Sequence, residues 1–214
     1  MCYNALCSGV ELLKANDPKS PLLKKWQTLA DKVKASFADT FINKATNGFY
    51  DYVNSTEKNE QVRPNMMIAA ALPYTPMTET MQKRAFDIAR SELLTTRGIR
   101  SLSPNDEGYK GISIGNHSER ERAYHNGTAF PWLIMFYADL SVKLFGKTSL
   151  PYLEDLYKDF ENAIKDNGIG TVSEIYDGNP PFEARGCISQ STSVGALLYL
   201  HYLIDELNKK GGSK

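Results

Sequence analysis

Two carboxylates and an arginine crowd one short stretch of the chain. Residues 171–190 read T-V-S-E-I-Y-D-G-N-P-P-F-E-A-R-G-C-I-S-Q, with Glu174 and Asp177 beside Tyr176 and Phe182 around a Gly-Asn-Pro-Pro run. Proline locks φ and lacks an N–H, so the run stops a helix and holds a fixed loop. Carboxylates next to aromatic rings on such a loop suit general acid or base work on a polar, ring-shaped substrate. Arg185 is placed either to meet an anionic group or to hold one of the carboxylates. A capping and turn segment without chemistry is the other reading of the same residues, and it stays open at this point.

Residues 97–124 carry a second constellation, R-G-I-R-S-L-S-P-N-D-E-G-Y-K-G and then N-H-S-E-R-E-R-A-Y-H-N-G-T-A-F-P-W from Asn116. Ser, Pro, Asn, Asp and Gly mark it as a loop, longer than a connection needs. Tyr109, Ile112, Ile114 and Tyr124 call for burial and argue against disorder. Tyr124, His125, Asn126, Gly127 and Thr128 offer hydrogen-bonding groups of several geometries just ahead of Phe130 and Trp132. Sugar pockets combine such groups at the ring edge with aromatic planes against the C–H face. Alternatively, Asn126-Gly127-Thr128 before Pro131 is a helix start with Thr128 as its cap. His117 and His125 have no Cys or acidic residue at a usual ligand spacing, so neither a metal nor another cofactor is expected. His201 is expected to be packed within a helix.

These loops need elements to hold them, and the spacing of apolar residues predicts seven helices. They cover residues 3–15, about 21–42, 64–72, 79–94, 127–145, 150–165 and about 191–207. Along the second, Leu22, Leu23, Trp26, Leu29, Ala30, Val33 and Phe37 recur at three and four, while Lys24, Lys25, Asp31, Lys32 and Lys34 face water. The third, P-N-M-M-I-A-A-A-L, is almost without charge. Enclosed and half-solvated helices thus alternate, joined by short turns and long motif-bearing loops. Two concentric layers produce this pattern, so an all-α fold in the form of an α/α toroid is expected, although a repeat array or irregular bundle has similar members. Strands are expected only at residues 48–53 and 171–176.

The 214 residues, 42% hydrophobic and 11% aromatic, suffice for one substantial core and a single domain over 1–214. Lys+Arg 25 against Asp+Glu 25 leaves no field to attract nucleic acid or an anionic membrane, and no apolar run is long enough to span a bilayer. Cys2, Cys7 and Cys187 are an odd set without metal-ligand spacing and read as buried thiols in a reducing, cytoplasmic setting.

Four ordered segments bring a resemblance into view: R-P-N-M-M-I-A-A-A-L-P from Arg63, G-I-R-S-L-S-P-N-D-E-G-Y-K-G from Gly98, R-E-R-A-Y-H-N-G-T-A-F-P-W from Arg120, and S-E-I-Y-D-G-N-P-P-F-E-A-R-G-C from Ser173. Together they resemble the C-terminal amylo-α-1,6-glucosidase domain of glycogen debranching enzymes, over nearly the whole chain. The resemblance implies an (α/α)6 toroid, incomplete here because about seven helices cannot supply its twelve, and inverting hydrolysis of α-1,6-linked glucose in glycogen catabolism, with an α-glucan as partner. It implies Glu174 as the general base, and Tyr124, His125, Gly127, Thr128 and Trp132 at or near the glucose pocket. Asn126, Asp177 and Arg185 are added as candidate substrate contacts. Glu121, Asn126 and Ala129-Phe130 stand where the family has Asp, Gln and Val-Trp. The family's general acid, an Asp in a Trp-Met-Asp motif upstream of Tyr-Asn-Ala-Leu, is not in this sequence, where that segment starts at Tyr3. The expectation is therefore a domain truncated at its N-terminal side, inactive alone, which self-associates or pairs with an upstream segment through Leu6, Val10 and Leu13 and through Val194, Leu197 and Leu198. A non-catalytic α-glucan-binding module and a helical scaffold for protein partners are the alternatives.

Overall fold

Apolar periodicity and local caps translate directly into helices. The computed structural model describes residues 1–209 and contains α1 (Cys2–Asn16), α2 (Pro21–Phe41), α3 (Asn65–Ala71), α4 (Glu79–Ile88), α5 (His117–His125), α6 (Ile134–Phe145), α7 (Leu150–Asp166) and α8 (Ser191–Lys209). Pro21 in α2 and Pro151 in α7 occupy the first turn, where a missing N–H removes no helical bond. Thr78 caps α4 by accepting from the Met81 amide at 3.3 Å. Residues 210–214, at the end of the expected domain, lie outside the described residues.

Enclosed and half-solvated helices alternate. Helix α3 buries Met66, Met67, Ala70 and Ala71, α6 buries Ile134, Tyr137, Ala138 and Leu140, and α8 buries Ala196, Leu197, Leu200 and Ile204. Helix α6 packs against both α3 and α8, while α4 lies against α3 and α6, and α7 against α8. Helices α4 and α7 turn their charged sides to water. Each fully buried leucine in this layer, such as Leu140 or Leu200, contributes about 1.5–3 kcal/mol through apolar transfer. Helices α1 and α2 pack chiefly on one another, and each has a single fully buried residue, Val10 and Ala30. Among the residues expected at an intermolecular contact, Val10 and Leu197 are thus used inside the fold.

The loops depart most from the expectation. An antiparallel sheet of five very short strands runs through them in the order β3 (Leu94–Thr95), β4 (Gly98–Arg100), β5 (Ala129–Phe130), β6 (Ile175–Tyr176) and β7 (Ala184–Arg185). Its register pairs Leu94 with Ile99, Ile99 with Phe130, Ala129 with Tyr176, and Ile175 with Arg185. A separate hairpin joins β1 (Ile42–Asn43) to β2 (Gly48–Phe49). Strands of two or three residues leave no alternation to read, so of the sheet only residues 175–176 fell within an expected strand.

Three helical expectations are corrected as well. Residues 127–133 are not α-helical: β5 and a 3-10 turn (Pro131–Leu133) precede α6, and Thr128 caps no helix but donates its hydroxyl to the Tyr124 carbonyl at 2.9 Å. The long loop holds an extra helix, α5, which opens on a capping box between Asn116 and Glu119. Helix α4 stops at Ile88 and continues as a π-turn (Ala89–Leu93). Ile112 and Ile114 are exposed rather than buried, as are Cys2 and Cys187; Cys7 is half-buried, and all three thiols are free. His201 is exposed beside the Tyr157 ring. No described helix is long and apolar enough to cross a membrane.

Candidate active site

The five-stranded sheet gathers the loop residues that the helices alone would leave apart. Just beyond the antiparallel pairing of β6 with β7, the Glu174 amide donates to the Cys187 carbonyl at 2.9 Å. The Cys187 amide in turn donates to Glu174 Oε2 at 3.0 Å, and the Tyr124 hydroxyl donates to Oε1 at 2.9 Å. Each carboxylate oxygen therefore has its own donor. Between them stands Gly186, at φ 67°, where a Cβ would lie 2.6 Å from Glu174 Oε2 and 3.1 Å from its Cβ. Only glycine adopts that backbone without strain and leaves the carboxylate its place.

The electrostatics follow from this clamp. The Cys187 amide, against partial burial and with help from Tyr124, holds the Glu174 carboxyl below the usual range, so it is ionised at neutral pH. Burial and the same carboxylate push Tyr124 up to about 12, and the Cys187 thiol is raised by its hydrogen bond to Glu174. Both neighbours stay protonated and act as donors. What results is one half-exposed anion, oriented and unprotonated, next to an open cleft.

That cleft measures about 300 Å³ and is lined by Tyr124, His125, Phe130, Trp132, Arg63 and Asn65, among others. The Tyr124 and Phe130 rings meet edge to face at 4.9 Å, and Trp132 meets Phe136 at 6.0 Å. His125 is exposed, with Nε2 3.2 Å from Glu121 Oε1. Of the expected pocket residues, Tyr124, His125 and Trp132 thus line one cleft, with Glu174 bonded to its wall.

The others build its frame. Asn126 accepts from Arg63 Nη2 at 2.8 Å and donates to the Arg122 carbonyl at 2.8 Å. Thr128 is fully buried, and Gly127 donates its amide to Ser101 Oγ at 2.8 Å, backed tightly by Lys110. Asp177, only 3% exposed, accepts from Arg185 through both oxygens at 2.8–3.1 Å and from the Ser113 amide at 2.9 Å. Arg185 holds a carboxylate in place, the second of its two sequence readings, and this fastens the 101–116 loop to β6 and β7. The side chains of Asn126, Thr128, Asp177 and Arg185 are engaged within the protein, which departs from the expectation that they touch substrate.

Sequence reasoning assigned no role to Arg63. Its guanidinium donates to the His125 carbonyl at 2.6 Å and the Ser101 carbonyl at 3.1 Å, besides Asn126, tying the start of α3 to both long loops. The available signal was a lone arginine against Pro64 and an otherwise uncharged helix. Among the described residues no group of three or more His, Cys, Asp or Glu is placed to hold a metal ion.

Comparison with known proteins places this geometry in context. A family model described as amylo-alpha-1,6-glucosidase matches residues 1–199. No curated protein matches the chain. Among solved structures, neutral trehalase Nth1 from Saccharomyces cerevisiae superimposes with a TM-score of 0.65 at 13% identity, over 97% of this chain and 38% of that one. At that identity the likeness concerns the fold, and the chain spans well under half of the neighbour's length.

Proposed function

The chain belongs to the amylo-alpha-1,6-glucosidase family, and on that premise we propose that it forms the base-bearing side of a pocket for inverting hydrolysis of α-1,6-linked glucose. The observation that carries this reading is Glu174 itself: ionised, fixed at both oxygens, and bonded to Tyr124 in the wall of an aromatic cleft. In an inverting reaction a carboxylate draws a proton from water as that water attacks the anomeric carbon, and an acid roughly 6.5–9.5 Å away protonates the leaving oxygen. Glu174 takes the first role. Trp132 and Phe130 offer ring surface to a pyranose, and His125 and Asn65 offer polar groups at its edge.

Asp177 is unsuited to the acid's role, because Arg185 and the Ser113 amide hold its buried oxygens. In this reading α1, α3, α6 and α8 are inner members of an (α/α)6 ring with α2, α4 and α7 outside. Glycogen debranching is the corresponding role of the whole protein.

Glu174→Gln tests the assignment in a polypeptide that spans the whole catalytic domain. It keeps the shape and one acceptor while removing the base, so glucose release from an α-1,6-branched oligosaccharide falls about 10²–10⁴-fold. Sugar binding by Trp132 fluorescence is retained. Wild-type turnover in that variant would remove Glu174 from the mechanism.

A further inference from the structure

A second cleft, of about 290 Å³, runs along α6 from Tyr137 to Phe145 and does not share a lining residue with the cleft at Trp132. Tyr137, Ser141 and Phe145 recur every four residues and share one face of α6, which lines the cleft. Asp87 and Arg90 line it from α4 and its π-turn, and Tyr152 from α7. Phe86 stacks on Tyr137 at 5.0 Å and meets Phe145 edge to face at 5.1 Å, which fixes the floor.

Two features set this cleft apart from an ordinary groove between helices. Tyr137 is 4% exposed and Ser141 2%, yet no described residue hydrogen-bonds either hydroxyl. Nor are these oxygens sealed in: among the described residues, the buried side-chain polar atom without a partner is Ser193 Oγ. Both hydroxyls are therefore open to the cleft that their residues line, where the polar groups of a ligand can meet them in place of water. Burial pushes Tyr137 up to about 12, so its hydroxyl is a donor at every physiological pH. Tyr152 is 58% exposed while the Arg90 guanidinium lies 5.0 Å over its ring, which gives a held aromatic platform at the rim.

Charge selects among ligands. A phosphate would face the Asp87 carboxylate, and a cation would face Arg90. A neutral polyol finds donors, an acceptor and a ring to lie against. The volume is at the small end of the roughly 300–1,000 Å³ usual for ligand pockets, which suits one sugar unit.

We propose that this cleft is a second carbohydrate site, which takes one glucose unit of an α-glucan through Tyr137, Ser141, Asp87 and Arg90, with Tyr152 against the ring. Choosing an α-glucan among neutral polyols rests on the function proposed above. A polymer held there stays near the pocket at Glu174 while its other ends are presented.

Titration of the isotopically labelled 214-residue chain with maltotriose, followed by NMR, tests this. Saturable shifts are expected at Tyr137, Ser141 and Tyr152, separate from those at His125 and Trp132. Tyr137→Phe, which keeps the ring and removes one hydroxyl, weakens binding at the second cleft about three- to tenfold and leaves the Trp132 response unchanged. The site is overturned if Tyr137 and Tyr152 stay silent, if sodium phosphate gives the same response, or if Tyr137→Phe binds like the wild type. A response at Tyr152 with none at Trp132 or Tyr124 would support the second cleft and sink the reading of the first.

Discussion

Replacing Gly186 with alanine probes the carboxylate clamp through one methyl group. At φ 67° an L-residue costs about 1–2 kcal/mol, partly offset by about 0.4–1 kcal/mol from the stiffer unfolded chain. The added Cβ would lie 2.6 Å from Glu174 Oε2, so the carboxylate must swing away from the Cys187 amide. Water replaces part of that hydrogen bond at this half-exposed site, so its net loss is about 1 kcal/mol. Gly186→Ala is thus expected to destabilise by about 1–2.5 kcal/mol in urea unfolding and, in a polypeptide that spans the whole catalytic domain and on the function proposed above, to cut turnover by about 10²-fold or more as Glu174 leaves its place. Gly195→Ala is the control. Gly195 is an exposed glycine inside α8 with nothing within 4 Å of its would-be Cβ, and alanine there stabilises by about 0.5–1 kcal/mol. If Gly186→Ala kept both stability and turnover, Glu174 would not need the geometry described, and the argument from the clamp would fail.

Tyr124→Phe removes one of the two donors that hold Glu174 ionised. A depressed carboxyl is active above its folded pKa and loses function as pH falls through it, so the acidic limb of the rate profile moves to higher pH in this variant. Carbon-13 NMR of the Glu174 carboxyl checks the same shift without turnover, and an unmoved titration would discount Tyr124. Arg185→Met leaves Asp177 buried with the Ser113 amide as its remaining donor; since Arg185 is 27% exposed, a loss of about 2–3 kcal/mol is expected, partly restored by adding Asp177→Asn, and urea denaturation measures both. Helix α8 exposes Leu198 at 65% and Tyr202 at 55%, and α1 exposes Leu12 at 65%. Two copies are expected to pair through these faces, with a sedimentation coefficient that rises with concentration and stops rising in Leu198→Glu, Tyr202→Glu. A compact monomer at all concentrations would contradict it.

The residue order alone was enough for most of the helices and for the family. Helices repeat every three to four residues within one segment, so Met66, Met67 and Ala70, or Leu153, Leu156 and Phe160, disclose a buried face without any partner in view. Ordered motifs around Glu174 carried the family in the same way. The roles of neighbouring residues were not readable, because they depend on contacts between positions 50 to 80 residues apart. Tyr124 meets Glu174, Arg63 meets Asn126 and Arg100 meets the Gly178 carbonyl only after five strands of two or three residues close a sheet. Such strands are too short to show alternation, and each finds its register through its neighbour. Asp177 and Glu174, three residues apart and alike in type, were separated by tertiary structure alone. Ladder pairing turns one under the loop against Arg185, while the other stays beside the cleft.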